Sequence, residues 1–125
     1  MFLDDERKAV ELDFLRSWER MEIFFSGEDM PWLNRMLPLV RAFRAQGYDR
    51  KLRAGQSMIT LIVSRSREHG LRIDQPSVAF NLAGQGGISA HLRGEHVSRL
   101  VTVDRVEITP EIEELLIPLL AYPID

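Results

Sequence analysis

The stretch SVAFNLAGQGGISAHLR, residues 77–93, decides the fold. Apolar side chains occupy every second position on both sides of a glycine-rich centre: Val78, Phe80 and Leu82 before it, and Ile88, Ala90 and Leu92 after it. This period of two is typical of β-strands that bury one face. The glycines at positions 84, 86 and 87 make a hairpin loop the simplest connection. The stretch therefore predicts two antiparallel strands, Ser77–Ala83 and Ile88–Arg93.

Two more strand patterns flank this hairpin. Residues 57–64 have apolar side chains on both faces, which predicts an inner strand that begins at Ser57. Residues 97–108 alternate up to Val103 and resume with shifted parity at Val106, which indicates either a bulge or a tight turn between them. The sheet is therefore expected to contain four or five strands.

The part of the chain before Gly47 has the helical period instead. One apolar stripe within residues 4–26 has spacings of three and four and predicts the first helix: Val10, Phe14, Trp18, Met21 and Phe25. A second stripe predicts another helix, which Gly47 ends: Leu33, Met36, Leu37, Val40 and Phe43. Pro38 has no N–H group to donate, so we expect either a kink or two short helices that meet at Leu37.

A third helix is predicted after the strands. Thr109 followed by Pro110 is a strong helix start, and Pro118 is expected to shorten or bend the helix. Strands joined by short loops favour an antiparallel sheet with helices packed on one face. The chain is therefore predicted to be a single α+β domain, residues 1–125. It has two N-terminal helices, an antiparallel sheet of four to five strands, and one C-terminal helix packed on the sheet.

Charge is segregated along the chain. Residues 1–31 hold nine acids against four bases, a net charge of −5. Residues 32–72 hold nine bases against two acids, a net charge of +7, and residues 73–125 return to −5 with three bases and eight acids. This pattern is typical either of internal pairing, in which acidic helices lie across a basic sheet edge, or of an anion site on the middle segment.

The candidate anion-binding residues surround the predicted inner strand and its following turn: Arg53, Arg65, Arg67, His69 and Arg72. Several guanidinium groups at one end of a sheet can clamp a phosphate or carboxylate through charge-assisted, often bidentate hydrogen bonds. The alternative, which we favour, is that Arg65 and Arg67 pair with acids of the flanking helices, such as Glu19, Glu22 or Glu113.

Composition excludes several classes of protein. Of the 125 residues, 45% are hydrophobic and none is cysteine, which excludes a disulfide framework, a thiol nucleophile and a thiolate metal site. No run approaches the roughly 18 apolar residues of a membrane span, and the acidic start lacks the bases of a secretory signal. A soluble protein of the reducing cytoplasm, without a membrane partner, is expected.

No motif in the chain indicates a specific chemistry. The loop at residues 84–87 lacks the Gly-Lys-Ser/Thr ending of a phosphate-binding loop and precedes a strand. His91 and His96 do not have the spacing of a zinc site, so no metal and no cofactor is expected. No catalytic residue is assigned, and an enzyme that uses His69 or His91 as a general base is the third hypothesis after the two below.

The first hypothesis for function is a non-enzymatic protein-interaction or adaptor module. It would recognise either another protein or a second copy of itself through its sheet edge or its helix pair, and it explains the excess of apolar residues in the last helix. The alternative is an anion-binding protein that uses the central arginine cluster to hold nucleic acid, or a ligand with a phosphate or carboxylate group.

Overall fold

The computed structural model describes residues 4–67 and 74–124. Its three α-helices are α1 (Asp4–Phe25), α2 (Leu37–Ala45) and α3 (Pro110–Ala121), and its five strands are β1 (Arg53–Ser57), β2 (Thr60–Ser64), β3 (Ser77–Leu82), β4 (Ile88–Arg93) and β5 (Ser98–Val103). Short 3-10 helices span Pro31–Met36, Tyr48–Arg50 and Gly84–Gly86. This confirms the predicted α+β fold, with two N-terminal helices, an antiparallel sheet and a C-terminal helix.

The sheet is a meander in which each strand pairs with its neighbours in sequence, in the order β1-β2-β3-β4-β5, and every pairing is antiparallel. The register places Leu61 opposite Phe80, and Phe80 opposite Ala90. These three side chains point to the helical side, where they join the core formed with the buried stripes of the helices. None of the helices in the described ranges is long and apolar enough to cross a membrane.

The prediction that the inner strand begins at Ser57 was wrong. Ser57 ends β1, the chain reverses at Met58 and Ile59, and β2 begins at Thr60. Met58 has a φ of 55° and is 84% exposed, so its apolar side chain belongs to a turn. This turn could not be recognised in the sequence, because the apolar residues Met58 and Ile59 continue the strand-like pattern. β1 itself was missed because Ala54 is its one apolar residue.

The helix boundaries follow the prolines as expected in one case and not in the other. The 3-10 helix ends at Met36 and α2 begins at Leu37, which confirms two short helices meeting there and places Pro38 in a first turn that needs no N–H donor. In contrast, α3 continues through Pro118 to Ala121, so the first of the two expected effects, a shortened helix, was wrong, and the second, a bend, stays a prediction.

Helix α1 covers the β1 edge of the sheet. The hydroxyl of Ser17 accepts the backbone N–H of Ala54 at 2.9 Å and donates to the carbonyl oxygen of Phe14 at 2.6 Å. The indole N–H of Trp18 donates to the carbonyl oxygen of Leu52 at 2.8 Å. These side-chain bonds satisfy edge groups that would otherwise be buried without partners, so they fix the position of α1 along β1.

Ser17→Ala is expected to lower the free energy of unfolding by about 1–3 kcal/mol, because it leaves the buried N–H of Ala54 without an acceptor. Urea denaturation monitored by circular dichroism measures the change. Ser26→Ala is the matched control, since that exposed serine also donates to a carbonyl three residues earlier and should change stability by less than about 0.5 kcal/mol. Equal effects of the two variants would contradict the role given to Ser17.

The β4–β5 pairing requires glycine at position 87. A Cβ atom there would lie 2.1 Å from the carbonyl oxygen of Val103, whereas a Cβ at Gly84 in the same loop would have no atom within 4 Å. Gly87→Ala is therefore expected to destabilise the protein by about 1–3 kcal/mol through forced backbone movement, and Gly84→Ala much less. Thermal unfolding of the two variants side by side tests this, and a larger loss for Gly84→Ala would be the contrary result.

Candidate anion-binding cleft

The described arginines of the predicted cluster lie at one end of β1 and β2, with Arg53 opposite Ser64. Arg53 begins β1, whereas Arg65 and Arg67 follow the end of β2, and His69 and Arg72 lie outside the described residues. The Nη1 of Arg53 donates to the carbonyl oxygen of Arg67 at 2.6 Å. The Nε of Arg67 in turn donates to Oδ2 of Asp13 on α1 at 3.0 Å. Arg53 and Arg67 are therefore engaged in tying the ends of β1 and β2 to each other and to α1.

Arg67 pairs with an acid of a flanking helix, as the alternative predicted, although this acid is not one of the three given as examples. Arg67 pairs with Asp13, and Glu22 pairs instead with Arg44 of α2 at 2.9 Å. Arg44 also lies 3.4 Å from Asp49, a carboxylate that is almost fully buried. Part of the charge segregation is thus internal complementarity between α1 and the basic middle segment, but through partners that helical spacing alone did not identify.

Arg65 has a different environment. Its Nη1 donates to the carbonyl oxygen of Leu120 in the last turn of α3. Its Nε is buried and has no hydrogen-bond partner among the described residues. Burial lowers the pKa of the Arg65 guanidinium, because the charged form has lost part of its hydration. Arg65 is thus a partly desolvated cation.

Arg65 lines a cleft of about 470 Å³ between the first turns of α1 and the end of the chain. The other residues that line it are Arg7, Glu11, Arg50, Lys51, Pro123 and Ile124. Arg7 and Glu11 come from α1, and Arg50 and Lys51 come from the connection between α2 and β1. The cleft therefore brings four cations and one carboxylate together from segments that are far apart in sequence.

The four cations of the cleft have no ion-pair partner among the described residues. Among residues 4–67 and 74–124, no carboxylate oxygen lies within 4.0 Å of a side-chain nitrogen of any of them. Other bases of the same chain do have such partners, as Arg99 does with Glu114 at 3.1 Å. Because like charges held around one concave surface reinforce each other, the cleft attracts anions.

Three of these cations were missed from the sequence. Arg7 lies in the acidic N-terminal block, where its sign was outweighed, and Arg50 and Lys51 precede the strand around which the predicted cluster was drawn. The adjacency of Arg50 and Lys51 so close to Arg53 was the available signal. Which of these side chains share a cleft depends on how α1 and the C-terminal segment are placed, and that placement is not encoded in local spacing.

Of the two histidines considered as general bases, His91 is the one among the described residues, and it does not line the cleft. Its Nε2 lies 2.9 Å from the hydroxyl of Ser98, and no group of three potential metal ligands occurs within the described residues. The glycine loop is a hairpin closed by a bond of 2.8 Å from the Ala83 N–H to the Gly87 carbonyl oxygen, and a strand follows it.

Comparison with protein-family models, with curated proteins and with solved structures found no match. The chemistry of the described side chains is therefore the guide to function. The cleft can hold an anion by charge and by guanidinium hydrogen bonds. Among the described residues that line it, Glu11 is a carboxylate and none carries a hydroxyl or an imidazole.

Arg67→Gln is expected to lower the free energy of unfolding by about 0.2–1 kcal/mol, because the Arg67–Asp13 pair is 35% and 43% exposed and is screened by water. Asp13→Asn should have a similar effect, and the double variant should lose little more than either single one. Urea denaturation of the four proteins measures this coupling. Fully additive losses would show that the two side chains do not stabilise the fold through each other.

Proposed function

We propose that the protein binds a small anionic ligand, carrying phosphate or carboxylate groups, in the cleft around Arg65. The observation that supports this most directly is the convergence of four cations, without ion-pair partners among the described residues, against the single carboxylate of Glu11. Such an arrangement carries a cost from mutual repulsion in the empty protein, and a bound anion would remove that cost.

Arg65 is the cation of the proposed site whose orientation is fixed by a hydrogen bond. Its Nη1 is held by a carbonyl at the C-terminal end of α3, a helix end where a cation is favoured by the dipole. This fixes the planar guanidinium, whose Nε is buried and has no hydrogen-bond partner among the described residues. A phosphate or carboxylate in the cleft would meet a cation that has already lost part of its hydration, so water screens their attraction less than at a fully exposed arginine.

The size and lining of the cleft favour a metabolite-sized ligand over a nucleic-acid strand. A volume of about 470 Å³ lies within the range of small-molecule pockets. Pro123 and Ile124 supply an apolar wall for the carbon part of a ligand. Among the described residues no aromatic side chain lines the cleft, and base stacking on aromatic rings is the usual means of holding single-stranded nucleic acid.

Isothermal titration calorimetry with inorganic phosphate and with citrate tests the proposal. We expect binding at an ionic strength of about 0.01 M and weaker binding at about 0.1 M, as the Debye length falls from roughly 30 Å to roughly 10 Å. Arg50→Gln/Lys51→Gln should weaken binding by about tenfold or more, because two exposed cations of the cleft are removed without loss of core packing.

Arg67→Gln is the matched control, because Arg67 is a nearby arginine that pairs with Asp13 and does not line the cleft. It should leave both affinities unchanged. A titration with a single-stranded oligonucleotide distinguishes a polymer from a small ligand, and tighter binding of the oligonucleotide would favour nucleic acid. No binding of any of the three anions at low salt, or equal losses in the control and the cleft variant, would overturn the proposal.

Interaction with another protein, the first hypothesis from the sequence, is a second proposal supported by a separate observation. Helix α1 covers the β1 edge of the sheet, whereas β5 ends the sheet with no further strand beside it among the described residues. An uncovered strand edge can accept another strand through backbone hydrogen bonds.

A further inference from the structure

The two edges of the sheet differ in how their backbone groups are satisfied. At the β1 edge, the N–H of Ala54 is bound by Ser17 of α1. At the β5 edge, the strand runs for six residues without proline or lysine, which are common means of protecting an edge. Its single charged side chain, Arg99, pairs with Glu114 of α3 at 3.1 Å. We call the unpaired side of β5 the open edge.

The hydrogen-bond pattern shows which residues present their backbone to the open edge. The Gly94 N–H donates to the Val97 carbonyl oxygen at 3.0 Å, and the β4–β5 register continues from this pair. Hydrogen-bonded and non-hydrogen-bonded pairs alternate along an antiparallel ladder, so every second residue after Val97 is bonded to β4. The residues between them direct their N–H and C=O groups to the open edge: Ser98, Leu100 and Thr102.

The side chains of these three residues are also exposed, on the face of the sheet opposite the helices. Leu100 is 66% exposed although it is a large apolar residue, and Ser98 and Thr102 flank it at equal distances along the strand. A strand with an exposed apolar residue between two small hydroxyl residues is suited to a partner strand of the same pattern.

We propose that β5 pairs antiparallel with β5 of a second copy of this chain, with Leu100 opposite Leu100 of that copy. This inference rests on the second proposal above and is independent of the anion cleft. A two-fold axis through Leu100 places Ser98 opposite Thr102 of the second copy, and the reverse. All three outward residues are then paired, and since each such pair exchanges two bonds, about six backbone hydrogen bonds form.

Neighbouring symmetric registers are less favourable. Centring the axis on Arg99 sets two Arg99 side chains directly opposite each other, and like charges in that position are destabilising. Centring it on Val101 moves Ser98 opposite Asp104, which lies beyond the end of β5, so one of the three pairs is lost. The Leu100 register avoids both costs and places the two exposed leucines in contact.

The absence of cysteine from the sequence allows a direct test of the register. In the Leu100→Cys variant the two introduced residues would have Cα atoms about 5.5 Å apart, within the range for a disulfide. Mild oxidation should therefore give a covalent dimer, detected by non-reducing electrophoresis. Thr102→Cys is the matched control, since its counterpart would be roughly 13 Å away along the strand and should leave the chain monomeric on the same gel.

The double variant Ser98→Cys/Thr102→Cys should also cross-link, because the cysteine at position 98 would face the cysteine at position 102 of the second copy.

Thr102→Pro should abolish self-association in sedimentation velocity experiments while keeping the circular dichroism spectrum, because the N–H that it removes faces the open edge.

Three results would overturn the inference. A native chain that stays monomeric up to millimolar concentration would exclude the pairing, while leaving open an interaction of the same edge with a different protein. Cross-linking of Thr102→Cys as efficient as that of Leu100→Cys would exclude the register. A dimer that survives Thr102→Pro would place the interface elsewhere on the molecule.

Discussion

The docking of α1 on the first strand is the contact on which the rest of this structure depends. Ser17 and Trp18 use side-chain hydrogen bonds to hold β1 and the residue before it, and the Trp18 ring lies 5.0 Å from that of Phe43 in α2. One pair of adjacent residues thereby joins the sheet edge to both N-terminal helices. Because Ser17, Trp18 and Ala54 are buried, α1 cannot slide along β1 without leaving the donors of this seam unsatisfied.

The same docking determines which of the central basic side chains have an acidic partner. With α1 fixed along β1, Asp13 meets Arg67 and Glu22 meets Arg44, so two basic side chains are neutralised by the helix. The first turns of α1 extend past these pairs and contribute Arg7 and Glu11 to the cleft. Four cations that have no carboxylate partner among the described residues meet there, at the cleft that Arg65 lines.

The sequence allowed the class of fold to be predicted because its strongest signals are local. The alternation in residues 77–93 and the stripe on α1 each describe one element with one buried face, and both were confirmed. The turn at Met58 could not be predicted, because two exposed apolar residues imitated a continuous strand.

The candidate site was predicted less well, since it depends on contacts between distant segments. Among the described arginines expected to act together, Arg53 bonds to Arg67, Arg67 bonds to Asp13 of α1, and Arg65 lines the cleft. Charge in a sequence window indicates how many cations are present. Which of them meet an acid is decided by the packing of helices against the sheet, and a rotation of one helical position would exchange Asp13 for another residue.

The meander keeps the paired strands close to each other in sequence. Every strand pairs with its neighbour in sequence, so the entropy lost in closing each hairpin is small. The contacts that hold the helices to the sheet join residues much farther apart in sequence. Ser17 and Ala54 are 37 residues apart, and Arg65 and Leu120 are 55 residues apart. The sheet can consequently form as a local unit, whereas the cleft exists only after both ends of the described chain have docked, which makes it among the last features to assemble during folding.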